Sequence, residues 1–145
     1  GEEHSLNWFD TARELTERWH HQQQIRLALG RPGIMTRELY HPVLDCFMRV
    51  LPYTYQSVMA PTGGHLLVRV VGPSGGDWQL CRDADRWVLT RGLPDTPLAR
   101  VDIPEAMAWR MFTKGIARDE AEQGVVFDGD RRLATHVLDA VAIVG

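Results

Sequence analysis

Glu17 and His21 stand four residues apart in Glu17-Arg18-Trp19-His20-His21-Gln22-Gln23-Gln24-Ile25-Arg26, a stretch that reads as part of a long helix. One helical turn separates them, so a carboxylate and an imidazole leave the same face and can reach one divalent ion. Two ligands do not make a zinc site, which closes at four, so the others must come from elsewhere. The plainer reading is a solvated helical pair, with the glutamate supporting the helix through a weak contact. Gln24 shares the face of His21 and is the candidate hydrogen-bond partner behind it. His20 points about 100° away and reads as a packing or surface residue.

The remaining reactive side chains carry less. His65 follows a glycine pair and His41 precedes Pro42, positions typical of turns and caps. His136 reads as a satisfied surface residue and His4 as frayed. Ser57 and Ser74 have no histidine and acid at a hydrolase spacing. The glycines at Gly63-Gly64 and Gly75-Gly76 do not open helices, so they are not phosphate loops. Cys46 and Cys81 lie in an apolar helix pattern and an apolar strand pattern, and read as two buried free thiols rather than a disulfide. Trp78, Trp87 and Trp109, with Phe112 and Phe127, either line an apolar cavity or form an ordinary core, and the core is the simpler reading.

At 145 residues the chain is one ordinary domain, or a small domain with an appended helix. Its 44% hydrophobic content supports a core, and a net charge of −3 argues against nucleic acid as a partner. Arg13, Arg18 and Arg26 alternate with Glu14 and Glu17, which marks a solvated helix surface rather than a phosphate track. No apolar run approaches the roughly 18 residues of a membrane span. No signal-peptide pattern is evident either, so the expected setting is cytoplasmic, with no membrane partner.

A long first helix is expected from about Leu6 to Leu29, stopped by Gly30 and Pro32. Trp8, Ala12, Leu15 and Trp19 form one stripe and Asp10, Glu17, His21 and Gln24 the opposite one. The apolar stripe needs cover, from the body of the chain or from a second copy. A second helix is expected from Pro42 to Tyr55, with the proline in its first turn. From Leu66 the period changes to two, through turns at Pro73-Ser74-Gly75-Gly76 and Asp83-Ala84-Asp85. This predicts an antiparallel meander ending with Trp87 to Thr90. Pro97 to Ile103 reads as a fourth strand and Pro104 to Thr113 as a short helix. Another helical turn covers Arg118 to Gln123, followed by a strand at Val125-Val126-Phe127. Asp130 is a good cap for the last helix, which ends near Ala140, and Ala142-Ile143-Val144 is a candidate closing strand. The class is α+β, with a mostly antiparallel sheet and packed helices, preceded by one long helix.

With these pieces placed, the chain resembles the carboxyl-terminal half of the mycothiol-dependent maleylpyruvate isomerase family. The likeness is carried by Trp8 through Arg26, Thr62-Gly63-Gly64-His65, Gly129-Asp130-Arg131-Arg132-Leu133-Ala134 and Val141-Ala142-Ile143-Val144. It implies a DinB-like four-helix bundle joined to a smaller domain of sterol-carrier-protein type. Residues 1–31 would be the last helix of that bundle and residues 36–145 the carboxyl-terminal domain. Glu17 and His21 would be metal ligands, with zinc the expected ion and a further histidine supplied by an earlier helix. Mycothiol would bind beside the metal, which favours the nucleophilic thiolate.

On this resemblance the chain, which opens Gly1-Glu2-Glu3-His4, is a fragment of a metal-dependent, thiol-using isomerase or transferase-like protein and is not itself catalytic. Its expected partners are the missing amino-terminal bundle helices, or a second copy through helix one. The intact protein would take a small-molecule substrate. The alternative is a non-enzymatic module of sterol-carrier type that binds an apolar ligand or props the bundle.

Overall fold

The computed structural model describes residues 2–91 and 96–142, with side chains from residue 11 onward. The expected roles of His4, Trp8 and Asp10 side chains, and the expected closing strand at Ile143 and Val144, lie outside these residues. Helix α1 (Glu2–Ala28) leads to α2 (Arg37–Met48) and the short α3 (Leu51–Thr54). Then come β1 (His65–Val71), β2 (Gly76–Arg82), β3 (Trp87–Thr90) and β4 (Ala99–Pro104). Helices α4 (Glu105–Phe112) and α5 (Arg118–Gly124), strand β5 (Val126–Gly129), helix α6 (Arg131–Thr135) and a 3-10 turn at His136–Asp139 complete the order.

The five strands form one mixed sheet in the order β3-β2-β1-β4-β5. The β1-β2-β3 meander is antiparallel, as the alternation predicts. β4 lies parallel to β1, and β5 returns antiparallel to β4. The expected class is therefore what forms: α+β, with three of the four strand pairings antiparallel. Period-two alternation sends Leu66, Val68 and Val70 of β1 to the covered face with Leu80, Val101 and Ile103, all buried. Helix α4 packs on β1 and β4, while α6 packs on β4 and β5. The opposite face carries Arg69, held by both oxygens of Asp77 at 2.6 and 2.9 Å, and Arg100, held likewise by Asp102. Arg69 holds the Asp77 carboxyl below the usual carboxylate range. Such half-exposed pairs contribute about 1 kcal/mol or less.

Helix α2 departs from its expected bounds. It starts at Arg37, so Pro42 sits in its interior rather than its first turn. The proline removes one donor, to the carbonyl of Glu38, an exposed residue whose carbonyl can be solvated. The gain is Tyr40, fully buried, which an onset at Pro42 would have left outside the helix. Asp130 caps α6 as expected, accepting from the Leu133 backbone N–H at 3.2 Å. Gly129 before it has φ +79°, and any side chain there would run into the Leu98 carbonyl.

Helix α1 is not a free appendage. Its inward face is Thr16, Trp19, His20 and Gln23, all buried, whereas Leu15 of the expected packing stripe is 46% exposed. Packing chooses the face that matches what lies beneath. Trp19 stacks flat on Tyr40 with centroids 4.8 Å apart and meets Trp109 edge-on at 5.9 Å. Its indole N–H donates to the Ile34 carbonyl at 2.8 Å. Gln23 accepts from the Ile34 N–H at 2.6 Å, so the loop after α1 is pinned to the same face. Replacing Trp19 by Ala should lower the unfolding free energy by about 3–5 kcal/mol, the usual cost of deleting a buried aromatic. Urea denaturation of the variant checks this, and a loss below about 0.5 kcal/mol would show that α1 is not docked through this residue.

Candidate functional site

The proposed ligand pair sits on the side of α1 turned away from the sheet. Glu17, His21 and Gln24 are all exposed, and Glu17 faces Arg13 at 3.9 Å. Among the described residues no group of three or more histidine, cysteine, aspartate or glutamate side chains could hold a metal. The pair is thus two ligands with no third among the described residues, too few for zinc. Of His20 and His21, His20 is the one that the fold uses. It is buried, with its ring 6.0 Å from Trp109 and stacked at 5.8 Å against His21. Burial first, then the neighbouring His21, lowers its pKa from the ordinary value.

Along α1 toward its amino-terminal half, a groove of about 360 Å³ opens between α1, the end of α2 and α3. Phe47, Val50, Tyr53 and Ala142 supply apolar walls, with the half-buried Cys46 thiol among them. Arg13, Glu17 and Arg49 border it. Thr16 also lines it, but its hydroxyl is spent on the Ala12 carbonyl at 2.7 Å. The volume falls within the range of about 300–1,000 Å³ usual for small-molecule sites. Glu17 therefore has a neighbourhood that its spacing to His21 did not indicate: it stands at the groove, and His21 does not line it.

A second opening of about 650 Å³ lies between α2 and the β2–β3 edge, bordered by His41, Asp45, Trp78, Leu89 and Arg91 among others. Its polar groups are mostly committed to the fold. Trp78 donates its indole N–H to Asp45 at 2.7 Å, and His41 stacks on Trp78 while its Nδ1 lies 3.1 Å from the Ser74 carbonyl. His41 is thus a helix residue tying down the β1–β2 turn, not a cap. Ser74 is buried with its hydroxyl donated to the Met35 carbonyl, which removes it as a nucleophile.

Of the aromatic residues, Trp87, Trp109 and Phe112 resolve as core, while Trp78 is half-buried at the second opening. Trp87 and Phe112 are buried, Trp87 bonds the Val58 carbonyl at 3.0 Å, and Phe112 stacks on Phe47 at 5.6 Å. Phe127 packs partly buried against the same core. His136 is half-buried, with Nε2 2.7 Å from the Thr54 carbonyl and Nδ1 3.2 Å from Asp139. His65, expected to open a strand after the glycine pair, begins β1 and is 4% exposed. Cys46 and Cys81 are free, as expected, though half-buried rather than enclosed.

No protein-family model and no curated protein matches the chain. Among solved structures, the UbiJ-SCP2 ubiquinone synthesis protein is similar at 12% identity and a TM-score of 0.40, covering 67% of this chain and 77% of that one. The sterol carrier protein domain 2 of Helicoverpa armigera is similar at 14% identity and a TM-score of 0.47, covering 64% and 80%. At these scores neither match bears on function. No helix among the described residues is long and apolar enough to cross a membrane.

His20 generates a pH dependence with a defined sign. With its folded pKa below the ordinary histidine value of about 6.5, the unfolded chain binds the proton more readily. Its neutral burial therefore stabilises fully above about pH 6.5 and progressively less as pH falls below it. His20→Gln should flatten that decline. Urea midpoints measured from neutral to mildly acidic pH check it, and parallel curves for the variant and the wild type would contradict it.

Proposed function

We propose that this chain is a non-catalytic module that binds a small amphiphile in the groove between α1, α2 and α3. One observation carries the reading: a concave surface of about 360 Å³ pairs Phe47, Val50, Tyr53 and Ala142 with the cationic side chains of Arg13 and Arg49. Apolar walls favour a hydrocarbon body through loss of water contact. Two guanidinium groups against the one carboxylate of Glu17 leave the border with net positive charge, which favours an acidic head. Nothing in the groove forms a nucleophile–base pair, since Thr16 is bonded to its own helix and Cys46 has no histidine beside it among the lining residues.

Decanoate, measured by titration calorimetry, is a suitable probe. Val50→Trp fills the groove from a half-buried position and should weaken decanoate by about tenfold or more, which is about 1.4 kcal/mol. Decanol should bind more weakly than decanoate. Unchanged affinity in the variant, with a wild-type melting temperature, would remove the groove as the site.

A second reading concerns Glu17 and His21. Both are exposed on one face of α1, which favours their serving as two ligands of a divalent metal whose other ligands lie outside this chain. In that setting the pair would hold the ion, and a thiol such as mycothiol would be bound by residues beyond this chain. The Glu17→Ala/His21→Ala variant should then purify with less zinc than the wild type, by elemental analysis of the full-length protein. Equal metal content would end this reading.

A further inference from the structure

The inward face of α1 accounts for Thr16, Trp19, His20 and Gln23, but a second stripe on the same helix has no cover among the described residues. Leu15 is 46% exposed, Ile25 52% and Leu29, in the turn just past the helix, 66%, with Arg18 and Gln22 exposed between them. Positions 15, 18, 22, 25 and 29 advance in alternating steps of three and four, the spacing of a seam between two helices. From Leu15 to Leu29 it runs about 21 Å at 1.5 Å per residue. Trp19, stacked on Tyr40, fixes the rotation of α1, so this stripe stays outside.

We propose that the seam pairs two copies of this chain, with their α1 helices antiparallel about residue 20. The polar positions are complementary only in that direction. Reversal about residue 20 sets Leu15 against Ile25 of the other copy, twice, and Arg18 against Gln22, twice, with Leu29 falling opposite Thr11 at each end. Leu15 and Ile25 meet as apolar side chains, and each guanidinium meets a side-chain amide that can accept from it. A parallel pair in register instead sets Arg18 against Arg18 across the seam, a like-charge contact. Glu14 lies 2.6 Å from Arg18 on the same helix and balances its charge at the edge of the polar layer. The amphiphile groove lies on another side of α1, around Arg13, Thr16 and Glu17, so pairing leaves it open.

One helix per copy makes a small contact, so the dimer belongs to the weak class and forms with rising concentration. Sedimentation equilibrium over a concentration series tests it. The wild type should shift from monomer to dimer, and Ile25→Glu should remain monomeric while keeping its circular dichroism spectrum, since the residue is exposed. Gln22→Glu discriminates direction. In the antiparallel pair it places a carboxylate opposite Arg18 and should tighten the dimer several-fold. In a parallel pair it brings the two new carboxylates together and weakens it. A wild type that stays monomeric throughout, as it would if another helix were the natural occupant, overturns the proposal. So does weaker association of Gln22→Glu.

Discussion

The Tyr40 hydroxyl is the contact on which the helical layer depends. It donates to the Glu105 carbonyl at 2.5 Å and accepts from the Trp109 N–H at 3.1 Å, joining α2 to the first turn of α4. Burial raises the phenol pKa well above its ordinary value, so the hydroxyl keeps its proton over the whole working range. The face of the same ring carries Trp19. One side chain thus binds α2 to α4 through its oxygen and α2 to α1 through its ring. Glu105 and Trp109 are four apart in α4, so without the oxygen their carbonyl and N–H can bond each other, and what is lost is the link between α2 and α4, at about 0.5–1.5 kcal/mol per hydrogen bond. Tyr55 plays the same part at the other end of the layer, donating to the Leu133 carbonyl at 2.6 Å and packing edge-on against Trp87.

Everything proposed for α1 follows from that docking. Because Trp19 fixes its rotation, Thr16, His20 and Gln23 turn inward, Arg13 and Glu17 come to the groove, and Leu15, Ile25 and Leu29 face out. A helix free to turn would define neither a groove nor a seam. The Glu17/His21 pair takes its meaning from the same geometry. Its spacing suits a shared ion, but the fold separates the two environments: Glu17 shares the groove with Arg13 and Arg49, and His21 does not line it. Ligand spacing on one helix is a statement about two side chains, whereas a site needs every element that converges on it.

Much of the sheet was legible because strand alternation is local. Leu66, Val68 and Val70 fall on the covered face simply by counting in twos, and Asp130 announces α6 through its own side chain. The rotation of α1 was not legible. Two large tryptophans suggested a stripe through Trp8, Leu15 and Trp19, but Tyr40 and Trp109 are distant in sequence, and their surface selects Thr16, His20 and Gln23 beside Trp19. Pro42 misplaced the onset of α2 for the same reason, since the burial of Tyr40 outweighs one lost backbone bond. The parallel pairing of β4 with β1 places β4 with β2 and β1 between it and β3, an order that no local pattern records. The groove assembles α1, α2, α3 and Ala142, so no contiguous segment carried its signal.

The central claim is that the cleft between α1, α2 and α3 receives the hydrocarbon part of an amphiphile. Nuclear Overhauser contacts between decanoate and the protein measure this directly. The account predicts cross-peaks from the acyl chain to the Val50 and Ala142 methyl groups and to the Phe47 and Tyr53 rings. Acyl contacts to the Leu15, Ile25 and Leu29 side chains instead, with none at Val50 or Ala142, would contradict it.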